Sequence, residues 1–181
     1  RANDFKGKIY AVNPGHERVQ GERSYPELAA IGEPVDLAVV VSPRRTIVDV
    51  IEQCGQQGIR AVCVLSPGKR RHEQEGQRFE KEVLERARRY NLRLVGPDCI
   101  GLLRPHIGLN VSDCRPAALP GELALVSQSA ALCNTIVDWA GARSIGFSTV
   151  ISLGDTLDVD FGDVLDFLAT DGSTRSILLY L

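Results

Sequence analysis

The sequence predicts an α/β fold of parallel strands with helices on both sheet faces, arranged as two successive units. Three observations predict it. Short apolar, β-branched runs such as "DLAVVVS" and "IRAVCVL" recur along the chain, as strands buried on both faces require. Segments of helical periodicity fall between them. The connections are short, and strand–helix–strand rhythm with short links demands right-handed crossovers.

The bulk composition agrees. The chain has 181 residues, 44% apolar and 24% charged, which is ordinary for a globular protein with a sizeable core. A net charge of -2 argues against a nucleic-acid-binding face. No apolar run approaches the roughly 18 residues that span a bilayer, and no signal peptide is recognised, so no membrane partner and a cytoplasmic setting are expected. Cys54, Cys63, Cys99, Cys114 and Cys133 are odd in number and lack CxxC spacing. Free thiols in a reducing compartment are expected, with no disulfide framework. His16, His72 and His106 are scattered, so no metal cluster is expected.

Taken in order, "KIYAV" (8–12) reads as a strand that stops at the turn "NPGHE". "DLAVVVS" (36–42) is the next strand. In "SPRRTIVDVIEQCGQQG", Ile47, Val50, Ile51 and Cys54 share one helix face, and Gly58 stands where a C-cap belongs. "IRAVCVL" (59–65) is a strand and "SPGKRRHEQEG" a polar loop. Residues 77–91 form a helix with Phe79, Val83, Leu84 and Ala87 on one side, and "LRLVG" (92–96) closes the first sheet. "SDCRPAALPGE" (112–122) is aperiodic and proline-bearing, the natural boundary between units spanning 1–115 and 116–181. Beyond it come strand 123–127, a helix from Ala130, strand 146–152, a helix over 161–170 and a strand in "RSILLYL". The chain opens on Arg1, contains no Met and ends on an apolar run, so it is expected to be a fragment of a longer chain. No GxGxxG occurs, so the first β-α unit of a dinucleotide-type domain is expected to lie upstream. The sheet edge so exposed is expected to favour self-association.

Ligands of parallel α/β sheets bind at the strand carboxyl ends. Those ends read "VNPGHE", "VSPRR", "LSPGK" and "VGPDCIG", each with a proline. A lined crevice is one reading; the plain need of βα loops for turn residues is the other. In "ALVSQSAALCNTIVDWA", Ser127, Gln128 and Ser129 join a strand to a helix start. A helix N-terminus attracts anions, phosphate above all, and serine also simply caps helices. A serine nucleophile is the disfavoured reading, because both glycines of the GxSxG elbow are missing. "DTLDVDFGD" carries four close aspartates without EF-hand spacing, and a helix-capping loop accounts for them.

The blocks "VGPDCIGLLRP", "GLNVS", "LPGELALVSQSAAL", "GFSTVISLGDTLDVDFGDVLDFLATD" and "TRSILLYL" resemble the NDP-forming acyl-CoA synthetase family. That family includes the succinyl-CoA synthetase α subunit and ADP-forming acetyl-CoA synthetases. "SQSAAL" with "NTIVDWA" is similar to the branch of bacterial protein-lysine acetyltransferases, in which a synthetase-like region is fused to a GNAT domain. The resemblance implies a partial Rossmann-like CoA-binding domain followed by a flavodoxin-like domain. It implies CoA or acyl-CoA contacts at Asn13, Pro14 and His16, at Ser42 and Pro43, at Ser66 and Gly68, and at Asp98 and Cys99 near the thiol. It implies a phosphate site at Ser127, Gln128 and Ser129, facing a phosphohistidine that lies beyond Leu181. No catalytic residue is expected within these 181 residues. ATP or ADP with magnesium, an ATP-grasp-like domain and a GNAT domain are expected only in the full-length protein, with protein substrates if it acetylates lysine. Two departures bear on activity: Asp98 replaces the family's usual Asn, and Ala130 its usual Gly. They favour a regulatory acyl-CoA-binding region of an acetyltransferase; the alternative is an active ADP-forming acyl-CoA ligase working through phosphohistidine.

Overall fold

The computed structural model describes residues 5–67, 74–112 and 117–181. The chain opens with a small sheet of β1 (Ala11–Val12), β2 (Arg18–Val19) and β3 (Glu22–Tyr25), in the order β1-β3-β2. β2 and β3 form an antiparallel hairpin. Its turn places Gln20 at φ 49° and Gly21 at φ 83°. Two left-handed residues give the primed turn that matches strand twist, and glycine makes the second free of strain. The segment 8–12, expected in the parallel sheet, instead supplies β1 to this small sheet through pairing with β3.

The parallel sheet that follows holds β4 (Leu37–Val40), β5 (Ala61–Val64) and β6 (Arg93–Val95) in that order. α1 (Arg44–Gln56) and α2 (Gln74–Arg89) are its crossovers. α1 buries Ile47, Ile51 and Cys54 against Val62, Val64, Val83 and Leu94. It ends at Gly58, φ 75°, whose N–H bonds Gly55 O while Ile59 N–H bonds Cys54 O. That paired closure is the Schellman arrangement the glycine forecasts.

The second sheet has the order β11-β9-β10-β7-β8. β9 (Pro120–Ser127), β10 (Phe147–Ser152) and β11 (Ser176–Tyr180) are parallel, with β9 central. The order of these three is that of the first strands of a flavodoxin-like sheet. α3 (Ala130–Gly141) covers one face through Leu125, Cys133, Val137 and Val150. α4 (Phe161–Thr170) covers the other through Ala124, Val126, Ile151, Val164 and Leu168. Adjacent residues of β9 thus serve opposite faces, as a doubly covered strand requires.

The three strands of the expected second unit are parallel, and two antiparallel strands from upstream extend the sheet beyond β10. β7 (Gly101–Arg104) pairs antiparallel with β10, and β8 (Leu109–Val111) pairs antiparallel with β7 at the sheet edge. Both lie upstream of the expected division at 115/116, so the second sheet already begins at Gly101. Gly101 is required there: at φ 97° a Cβ would stand 1.8 Å from Val111 O. The outer side chains of β11 at the other edge, Ile177 to Tyr180, are exposed. Among the described residues, no helix is long and apolar enough to cross a membrane.

Candidate functional site

The carboxyl ends of β4, β5 and β6 are tied into one row. Ser66, buried, donates its hydroxyl to Ser42 O at 2.6 Å. Asp98 N–H donates to Ser66 O at 3.1 Å. Thr46 Oγ1 lies 3.0 Å from Ser42 Oγ and 2.7 Å from Pro43 O, fixing the start of α1, whose N-cap is Pro43. The row is largely main chain, so what these loops offer a ligand is backbone and small side chains.

The loop of residues 96–99 is held close to β5. Gly96, φ 93°, admits no side chain, since a Cβ would lie 2.4 Å from Val64 O. Asp98 adopts φ 59° and keeps its carboxylate in solvent. Cys99 differs from the expectation that it lines the crevice. Its thiol turns inward, donating to Val64 O at 3.3 Å, and the residue is 6% exposed. An apolar side chain on a loop laid over a sheet is drawn to the sheet core, and this one joins Cys63 and Val111 there.

The "NPGH" turn belongs to the small sheet. Asn13 N–H donates to Tyr25 O at 2.9 Å, and Asn13 Oδ1 accepts from Gly15 N–H at 2.9 Å. This Asx turn leaves Pro14 and His16 exposed, with His16 Nδ1 3.4 Å from Asn13 Oδ1. Gly68 and His72 lie outside the described residues. The Arg44 guanidinium, in the first turn of α1, stacks 4.2 Å from the Phe79 ring centroid and donates to Glu75 O at 3.3 Å. His106 is spent on Gly121 O at 2.8 Å.

In the second sheet, "SQS" stands where strand order reverses, between β9 and β11. Gln128 N–H donates to Tyr180 O at 3.3 Å. Ser127 is fully buried and its Oγ accepts from Ser129 N–H at 2.9 Å. Ser129 caps α3, accepting from Leu132 N–H at 3.3 Å. Ser129 therefore caps α3 as expected, and the turn stands at a switch point, where open α/β sheets bind ligands. The sequence reading missed Ser152. It pairs in register with Ser127, shares the α3 face with Val150, and is fully buried. Its hydroxyl has no hydrogen-bond partner among the described residues. An orphaned buried hydroxyl is costly, and such groups concentrate at functional places. A lone serine ending a β-branched strand carries no local signal that finds it.

The two ligand-side edges are fastened together by the aspartate-rich segment after β10. Asp155 N–H donates to Pro97 O at 2.9 Å and Val159 N–H to Leu94 O at 3.1 Å. Asp158 accepts from Leu94 N–H at 2.8 Å and from Arg93 Nε at 3.1 Å; Asp163 accepts from Arg93 at 2.8 Å. Asp160 and Asp163 form a reciprocal capping box for α4. The Asp160 N–H and then the Arg93 guanidinium hold the Asp163 carboxyl below its ordinary range. The cluster is thus a cap and a clasp, as a capping loop should be.

Fold and site together define an α/β protein of three sheets in which the 96–99 loop after β6 and the segment after β10 meet at one seam. The comparisons place it in a family. The CoA binding domain family matches residues 1–105, and the succinyl-CoA ligase like flavodoxin domain matches residues 120–181. The chain belongs to the CoA-binding domain family, continued by the ligase-type flavodoxin domain. It is 38% identical to acetate–CoA ligase (ADP-forming) I of Archaeoglobus fulgidus, over 98% of this chain and 26% of that protein. It is 37% identical to the α subunit of acetate–CoA ligase (ADP-forming) II of Pyrococcus furiosus, over 97% of this chain and 38% of that subunit. Among solved structures it is similar to the dinucleotide-forming acetyl-coenzyme A synthetase 1 of Ca. Korarchaeum cryptofilum in complex with phosphate and ADP. There the TM-score is 0.93 at 32% identity, over 99% of this chain and 38% of that one. The chain therefore spans about a quarter to two fifths of the length of these relatives.

Proposed function

We propose that this chain is the CoA-binding and phosphate-facing part of an ADP-forming acyl-CoA ligase, with acetate or a comparably small acid as substrate. The relatives named above are ligases, and that moves the reading away from a regulatory region of a lysine acetyltransferase. The observation that carries it is the seam: the strand ends of a CoA-binding-type sheet and the α3 N-terminus of a ligase-type sheet sit on elements joined through Pro97 and Asp155. An enzyme that passes an acyl group from phosphate to a thiol needs both ends held within bonding reach of one another.

In this reading CoA contacts the Asn13, Pro14 and His16 turn of the small sheet and the Ser42, Pro43 and Ser66 strand ends, with its thiol end toward Asp98 and Cys99 main chain. CoA supplies the acyl-accepting thiol; the chain binds and orients it. Ser127, Gln128 and Ser129, with the first N–H groups of α3, hold phosphoryl oxygens by hydrogen bonds and helix-end charge. The Ser152 hydroxyl under that turn is an unspent donor for the same anion. The phosphorylated histidine, the ATP or ADP site with its magnesium, and the ATP-grasp-like partner belong to the rest of the protein.

The test uses the full-length protein. Incubated with acetate, CoA and ATP, it should form acetyl-CoA with release of ADP and phosphate. With acetyl-CoA, ADP and phosphate it should return ATP. Transfer of acetyl groups from acetyl-CoA to protein lysines, with no ADP-dependent thioester cleavage, would overturn the proposal and restore the acetyltransferase reading.

A further inference from the structure

Cys63 and Cys99 stand apart from the other thiols. Cys63, in β5, is fully buried; Cys99, on the loop after β6, is 6% exposed. Their sulfurs lie 4.0 Å apart. A disulfide spans about 2.05 Å, so the gap to close is roughly 2 Å. Cys63 is fixed between β4 and β6, whereas Cys99 lies on irregular chain between Asp98 at φ 59° and Gly101 at φ 97°. The loop is the side able to move. The thiol contact with Cys63 favours the Cys99 thiolate, holding this thiol below its usual range although burial opposes it. The same contact and burial push Cys63 up. Cys54, by contrast, is pushed up to about 11 by burial in the first core.

We propose that Cys63 and Cys99 form an oxidation site that hydrogen peroxide converts to a disulfide, pinning the 96–99 loop to β5. The Cys99 thiolate attacks one peroxide oxygen; the O–O bond breaks and the departing hydroxide takes a proton from solvent. Cys99 is then a sulfenic acid. The Cys63 sulfur attacks it, the S–S bond forms, and the S–O bond breaks. The leaving oxygen departs as water with the Cys63 proton. Two thiols and one peroxide thus give one disulfide and two waters. Asp98 N–H and Pro97 O are bonded to Ser66 and Asp155, so movement of Cys99 reaches the strand-end row. That consequence, unlike the chemistry, rests on the CoA reading.

The full-length protein is treated with hydrogen peroxide, quenched by alkylation in denaturant, digested and mapped by mass. The expected result is a peptide pair joining Cys63 to Cys99, lighter by two hydrogens and separated again by dithiothreitol. Cys63→Ser should instead leave Cys99 as a sulfenic acid trapped by dimedone. Oxygen added to Cys99 of the unsubstituted protein without the cross-link, a cross-link through Cys54 or Cys133, or no reaction overturns the proposal. Calorimetry with CoA before and after oxidation reads the coupling: about tenfold weaker binding is expected. Equal affinities refute the coupling alone. Failure of the reduced protein to bind CoA refutes the CoA reading and leaves the peptide map standing.

Discussion

Gly154→Ala tests the seam most directly. Gly154 adopts φ 60°, and a Cβ there would lie 2.3 Å from Pro97 O and 2.6 Å from Asp98 O. A left-handed alanine costs about 1–2 kcal/mol. The two carbonyls are main chain and cannot swing aside, so the loops must part. Parting them loses the hydrogen bond from Asp155 N–H to Pro97 O, 2.9 Å long, worth about 0.5–1.5 kcal/mol. The sum is roughly 1.5–3.5 kcal/mol. At about 2–4 °C per kcal/mol for a chain of this size, Tm should fall by roughly 3–14 °C. Urea unfolding and calorimetric melting measure it. Gly172→Ala is the control: nothing lies within 4 Å of its Cβ and its φ is not left-handed, so it should change stability by less than about 0.5 kcal/mol. Equal behaviour of the two variants would refute the claim that the seam is a close main-chain contact.

Three further outcomes are expected. Ser129→Ala should cost about 1 kcal/mol by stripping the cap from α3; an unchanged urea midpoint would show the cap is idle. Ser152→Ala should instead stabilise the chain by about 1 kcal/mol, because it removes a buried hydroxyl without a partner, and the same melting experiment sinks the idea if the variant is weaker. Asp171 accepts hydrogen bonds from Ser173, Thr174 and Arg104, which together push its carboxyl down to about 2 from 3.8. A depressed carboxyl stabilises the fold above its unfolded value and loses that contribution as pH falls toward about 2. Screened by solvent, the contribution is about 1–2 kcal/mol. Melting temperatures of the parent should therefore fall more steeply than those of Asp171→Asn between pH 4 and 2, and parallel curves would contradict the assignment.

What was legible in the sequence is what local physics dictates. "IRAVCVL" forms a strand buried on both sides, whereas "DLAVVVS" forms an edge strand that buries Val40 but leaves Val39 and Val41 exposed, and Gly58 and Ser129 close and open their helices where cap chemistry puts them. The hairpin of β2 and β3 was within reach, since "QG" between short polar strands is a turn signal. The hairpin of β7 and β8 was masked by a proline, Pro105, and by a partner, β10, more than forty residues downstream. The clasp of Arg93 with Asp158 and Asp163 joins residues 65 and 70 positions apart. No periodicity encodes such a pairing, and an isolated Arg beside a strand reads as a surface charge. The inward turn of Cys99 follows from the path of the 96–99 loop, which close main-chain packing at Gly96 determines.

Those placements also change the weight of the two departures from the family's pattern. Asp98 stands where the family usually has Asn, and a carboxylate close beside an acyl phosphate would repel it. Yet the position's hydrogen bond in the row is made by its main-chain N–H, and its carboxylate is out in solvent. Its φ of 59° is one that Asn and Asp share a readiness to adopt. The exchange keeps the backbone shape and moves the charge only at the rim. Ala130, in place of Gly, is the first residue of α3. Its conformation is not left-handed, so nothing in the turn requires glycine, and alanine is the better helix former. Both substitutions leave the main-chain groups that would meet thiol and phosphate where they are. Neither one, therefore, argues against ligation.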